Sequence, residues 1–224
     1  MRIRGAIFDF DGPLNDSFRE GLRRIEVLCG INNLPFTREI RQRLIRLWGK
    51  PGVQLLEEGL GVTSELAGHV YVQWEAFDLI MPIPFIPGTF DTLRWNRQHG
   101  IQNAVLTSRN RKNIHDIFEK CDFEREFAVV STRQDTEFKK PDPQVFNFVL
   151  KRFSEDFCIA REECIFIGDT PEDITCGQAA GIETLVVLTG PYWCDHILQY
   201  PVKPTNILAS VDYLPEWIDR YQNI

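Results

Sequence analysis

Four short stretches carry residues whose types and spacing could do chemistry. AIFDFDGPLNDS, residues 6–17, ends an apolar run in Asp9 and Asp11 and then breaks at Gly12-Pro13. NAVLTS, 103–108, ends in Thr107 and Ser108, and residues 132–142 carry Lys139 and Lys140 directly before Pro141. ECIFIGD, 163–169, ends in Asp169, with Asp173 four residues on. Several carboxylates gathered at one point repel each other, and a divalent oxygen-seeking cation relieves that repulsion. A carboxylate nucleophile can attack phosphorus to form an aspartyl-phosphate, dividing one hard displacement into two easier ones. A second acid two residues later can protonate the leaving alkoxide and then activate water. Strand residues alternate faces, so Asp9 and Asp11 share one side if the chain stays extended. Mg²⁺ and a lysine would balance the charge on the transferring phosphoryl group, with a hydroxyl and backbone N–H groups positioning it.

Such groups meet only if the elements beneath them bring them to one edge. The apolar run Ile3 to Phe8 reads as a first strand, and Ser17-Phe18-Arg19-Glu20 has capping-box spacing for a helix starting near Ser17. Helical patterns follow over 37–48, 51–60 and 64–80, with nothing strand-like between 17 and 80. After the Pro-rich crossing PIPFIPG (82–88) the rhythm changes. Helices over 89–100, 111–121, 143–153 and 171–181 alternate with strands over 103–108, 126–131, 163–169 and 183–188. Short apolar strands alternating with amphipathic helices predict an α/β fold with a Rossmann-like, doubly wound parallel sheet covered on both faces. Residues 1–14 and 87–224 would form that core, and 15–86 an inserted all-helical cap domain. In such a sheet ligands bind beyond the carboxyl ends of the strands, which is where all four stretches place their polar residues.

Composition narrows the function classes. A net charge of −7 argues against nucleic acid as the partner, because phosphate backbones demand clustered Lys and Arg. Six cysteines and four histidines are dispersed without metal-ligand spacing, so a zinc site is not expected and free thiols are. The run in MRIRGAIFDF is too short for a signal peptide, and no stretch approaches membrane-spanning length. The expectation is a cytoplasmic protein, with no membrane or nucleic-acid partner, acting on a small phosphorylated metabolite as a monomer or homodimer.

Taken singly, each residue admits a plainer reading. Asp9 and Asp11 could form an acidic turn before Gly12, Thr107 could be only a β-branched strand residue, and Lys139 reads as solvated. Thr170-Pro171-Glu172-Asp173 is a good helix start, so Asp173 is a capping acid on one reading and an active-site group on the other. Leu44, Ile45, Leu47 and Trp48 read as cap core, and Arg41, Arg43 and Arg46 as one solvated face.

Taken together, the four stretches resemble the haloacid dehalogenase superfamily, in its phosphatase and phosphomutase branch with a helical cap. DFDGPLNDS matches that family's first motif, VLTSR the second, KKPDP the third and GDTPEDITCGQAAG the fourth, in order and over essentially the whole chain. The resemblance implies Asp9 as nucleophile and Mg²⁺ ligand, and Asp11 as general acid/base with its backbone carbonyl on the metal. It implies Thr107 and Ser108 on the phosphoryl group, Lys140 neutralising both phosphoryl and nucleophile, Asp169 completing the metal site, and Asp173 supporting metal waters or the lysine. Gly49-Lys50, between the second and third cap helices, stands where the family reads its substrate; an exposed lysine is the alternative. Pro13 departs from the family's usual Thr and, by fixing φ and removing a donor, would stiffen the flap. Asp11 sets the chain apart from the dehalogenase and phosphonate-cleaving branches. The implied activity is a Mg²⁺-dependent phosphatase of small phosphomonoesters, phosphoglycolate first among them, with a β-phosphoglucomutase-like transfer as the alternative. A regulatory module on an inactive scaffold would be expected to have lost Asp9, Lys140 or Asp169, and none is lost.

Overall fold

The computed structural model describes residues 2–121 and 123–222. It divides into two compact units, one built from Met1–Asn15 with Phe85–Ile224 and the other from Asp16–Pro84.

The first unit is a six-stranded sheet whose strands are β1 (Gly5–Phe8), β2 (Gln102–Leu106), β3 (Val129–Ser131), β4 (Cys164–Gly168), β5 (Glu183–Val187) and β6 (Ile207–Leu208). All neighbours pair in parallel, in the order β3-β2-β1-β4-β5-β6. Growth to one side of β1 stops at β3 and resumes on the other side with β4. The crevice at the carboxyl ends of β1 and β4 is therefore the topological switch point, where open α/β sheets bind ligands.

Alternating side chains explain why both faces had to be covered. Ala6, Phe8, Val105, Ile165, Ile167, Leu185 and Val187 join one apolar cluster, while Ile7, Ala104, Leu106, Phe166 and Cys164 join another. Within this unit the first cluster is covered by residues of α5 (Thr89–Gln98), α6 (Arg111–Cys121) and α10 (Leu214–Gln222). The second is covered by α7 (Asn147–Phe157) and α8 (Pro171–Ala179). A single turn, α9 (Cys194–Ile197), lies between β5 and β6. Strands without a polar face are what a doubly covered parallel sheet requires.

The second unit is helical: α1 (Ser17–Ile31), α2 (Arg38–Arg46), α3 (Gly52–Leu60) and α4 (Ser64–Ile80). Leu22, Ile25 and Leu28 of α1 pack with Leu44 of α2, Leu55 and Leu56 of α3, and Val70 of α4 in a core of their own. Ile45, Leu47 and Trp48 are partly buried against it.

Several expectations are corrected at element ends. The cap of α1 is Asp16, whose carboxylate accepts from Arg19 N, so Ser17 is already helical. The first strand begins at Gly5 rather than Ile3. Residues 124–126 form a 3₁₀ turn, and the third strand runs only over Val129–Ser131. Residues 143–146 are 3₁₀, with the α-helix continuing to Phe157. Arg43 is not on a solvated face: its Nε donates to Gly59 O at 2.7 Å, tying α2 to α3. The elements after residue 188 had no counterpart in the sequence reading. All six cysteines are free thiols. Among the described residues, no helix is long and apolar enough to cross a membrane.

Candidate active site

Asp9 follows β1 directly, its N–H held by Ile167 O of β4 at 2.8 Å. Lys140, from the loop after β3, reaches it: Nζ lies 2.9 Å from Asp9 Oδ1 and 2.7 Å from Asp173 Oδ1. Asp173 makes the contacts of a helix cap and also meets Lys140. Its Oδ2 accepts from Asp169 N at 3.1 Å, Thr170 N at 3.0 Å and Thr170 Oγ1 at 2.7 Å, closing the capping box of α8. Its Oδ1 holds the lysine, with the whole side chain buried. Burial works against the charge on Lys140, but the carboxylates of Asp173 and Asp9 outweigh it and raise the ammonium above an ordinary lysine. Burial raises Asp9 to about 7; Lys140 opposes that shift, and Asp173 and Asp11 add to it.

Asp169, at the end of β4, is buried, and its Oδ1 has no hydrogen-bond partner among the described residues. Burial, then the neighbouring Asp173 and Asp9, push this carboxyl well above the usual range. Two glycines make room for it. A Cβ at Gly12 would stand 2.3 Å from Asp169 Oδ2, and one at Gly190 only 1.8 Å. Gly12 also has φ +104°, a conformation that side chains resist. The hydroxyl of Thr189 donates to Gly12 O at 2.7 Å, tying the segment after β5 to the turn after β1. Pro13 lies inside this turn, where Gly12, Leu14 and Asn15 supply the N–H donors, so the amide hydrogen that proline lacks is not one the turn uses.

Asp11 is gripped by Arg109: Nε donates to Oδ2 and Nη2 to Oδ1, both at 2.7 Å. Thr107 is buried at the end of β2, its N–H bonded to Ser131 O and its hydroxyl accepting from Arg109 N at 3.1 Å. The Thr107 proton is thus left to donate elsewhere. Ser108 is exposed, as is Lys139. Gly49 and Lys50 belong to the helical unit, in the turn between α2 and α3, and Lys50 pairs there with Glu58 at 2.6 Å.

Asp9, Asp11, Thr107, Lys140, Asp169 and Asp173 are therefore all placed at the carboxyl-end edge of the first unit's sheet. Arg109, Thr189 and Gly190 were missed. Arg109 had a signal, a cation two residues after Thr107 facing an edge rich in acids; Gly190 had none, since its close approach exists only in three dimensions.

The donor set suits a hard divalent cation. Asp9, Asp169 and Asp173 each offer an oxygen within 4.8 Å of the others. All-oxygen anionic ligands are what Mg²⁺ takes, and an orphaned buried carboxylate oxygen is costly until something meets it.

A family model described as haloacid dehalogenase-like hydrolase matches residues 6–187. Phosphoglycolate phosphatase 1 of Pseudomonas aeruginosa is 25% identical over 199 residues, 84% of this chain and 70% of that protein. The phosphorylated carbohydrates phosphatase of Thermotoga maritima is 23% identical, over 82% of this chain and 84% of that protein. Among solved structures, magnesium-bound YfnB of Bacillus subtilis superposes with a TM-score of 0.71 at 19% identity, covering 98% of this chain and all of that one.

Proposed function

Because this chain belongs to the haloacid dehalogenase-like hydrolase family, we propose that it is a Mg²⁺-dependent phosphatase of small phosphomonoesters in which Asp9 is the nucleophile. The observation that carries the proposal is the bridge made by Lys140 between Asp9 and Asp173, beside the unpartnered oxygen of Asp169. An ammonium on the nucleophile's own oxygen draws both the carboxylate and an incoming phosphoryl group to one point.

An oxygen of Asp9 attacks phosphorus, the bond to the ester oxygen breaks, and Asp11 delivers a proton to the departing alkoxide. Water then attacks the same phosphorus, giving its proton to Asp11, and the Asp9 carboxylate leaves with inorganic phosphate released. The Thr107 hydroxyl donates to a phosphoryl oxygen, and Lys140 offsets charge on the group in transit. Bound by Asp9 and Asp169, with Asp173 beside them and the Asp11 carbonyl as a further donor, Mg²⁺ would supply positive charge to the phosphoryl oxygens.

The Pseudomonas relative makes phosphoglycolate the first ester to assay, and the Thermotoga relative adds sugar phosphates to the panel. Phosphate release is expected with Mg²⁺ and lost with EDTA. Asp9→Asn, folded by circular dichroism, is expected to lower turnover by about a thousandfold or more. An Asp9→Asn protein as active as wild type, or no release from any ester, defeats the proposal.

A further inference from the structure

Both oxygens of Asp11 accept from a single guanidinium, at 2.7 Å each. That guanidinium lies over the Phe10 ring, 5.7 Å from its centre, and the Arg109 backbone N–H is tied to Thr107. The two side chains keep 17% and 30% of their exposure, so solutes reach the pair. The fork fixes the orientation of the Asp11 carboxylate, so turning either oxygen toward a leaving group requires the fork to yield. A planar guanidinium exchanges a bidentate carboxylate most readily for another anion of matching geometry. The transferring phosphoryl group already has a cation in Lys140, held at the nucleophile.

We infer, resting on Asp9 and Asp11 acting as proposed above, that Arg109 is a positioning residue that selects substrates with a second anionic group. It holds Asp11 until a carboxylate or second phosphate on the ester takes the guanidinium, and that exchange frees Asp11 to act. Esters with a neutral tail leave the fork closed and turn over poorly.

Three two-carbon esters separate the outcomes: 2-phosphoglycolate, ethylene glycol bisphosphate and ethyl phosphate. With Mg²⁺, wild-type kcat/KM for one or both doubly anionic esters is expected to exceed that for ethyl phosphate about tenfold or more, as sites built around a polar partner discriminate. The better of the two shows whether carboxylate or phosphate is the matching group. Arg109→Ala brings the ratio near unity, by freeing Asp11 and so raising kcat for ethyl phosphate and by raising KM for the doubly anionic ester, and guanidinium added to the buffer restores part of it. Arg109→Lys, which keeps the charge but not the fork, recovers only part of the ratio. A merely structural arginine would lower all three esters alike and would not respond to guanidinium. An unchanged ratio in Arg109→Ala, with hydrolysis intact, overturns the selective role and leaves the phosphatase reading standing. Failure of the wild type to hydrolyse any ester removes both. If Arg109→Ala does not fold, the ratio in Arg109→Lys decides, and an unchanged value again overturns it.

Discussion

Asp169 is shaped as much by what is missing around it as by what touches it. Gly12 and Gly190 leave its carboxylate room that even a methyl group would fill. Gly190→Ala places a carbon where Asp169 Oδ2 now sits, so the carboxylate must turn. Because residues that orient a metal ligand are typically worth 10–100-fold in affinity, this variant is expected to weaken Mg²⁺ binding by about tenfold or more. Calorimetric Mg²⁺ titration checks it, and an affinity equal to wild type would show that the close approach does not matter. The acids themselves were legible, since Asp9, Asp11 and Asp169 each stand just past a run of apolar strand residues. Legibility ended where a residue's role depends on a neighbour distant in sequence, as with Arg109 on Asp11 or Thr189 on Gly12.

At the scale of elements, α8 begins at a side chain that both caps the helix and holds Lys140. Thr170→Ala removes a cap hydroxyl and is expected to cost about 1 kcal/mol. Asp173→Asn weakens both the cap and a buried ion pair to Lys140, and is expected to cost more, on the order of 3 kcal/mol. Urea denaturation of the two variants ranks them; equal losses would mean that the lysine contact adds nothing to stability. The start of α8 was readable from Thr170-Pro171-Glu172-Asp173 because capping chemistry is local. Element ends elsewhere were less readable. Glu126 was assigned to a strand, yet residues 124–126 turn in a 3₁₀ helix and Glu126 pairs with Arg97 at 3.1 Å, a contact outside its own segment. The helix α10 left a signal, with Leu214, Trp217 and Ile218 buried at helical spacing, whereas the two-residue β6 is too short to leave one.

For the molecule as a whole, the cluster of acids sets how stability follows pH. Without metal, Asp9 takes up a proton at about 7 when folded, against an ordinary carboxylate value of 3.8. Between those values the folded state holds the extra proton, so stability falls as pH rises through that window and stays reduced above it. Asp169 is shifted in the same direction. In EDTA, the urea midpoint of the wild type is expected to drop from pH 5 to pH 8 more than that of Asp9→Asn, and added Mg²⁺ is expected to lessen the drop. Parallel profiles for the two proteins would refute this origin. The architecture was legible at this scale, since alternating strands and helices after residue 88 specify a doubly covered parallel sheet with little help from detail. The strand that Asp9 follows lies inside the sheet, with a neighbour on each side. Gly5 pairs with Gln102 on one side and with Cys164 on the other. At a synthesis rate of about 5–20 residues per second, the nascent β1 therefore waits on the order of ten seconds for its neighbours. Throughout that interval its apolar edge is a matter for the ribosome and chaperones, while α1 to α4, contiguous in sequence, already have every partner of their own core.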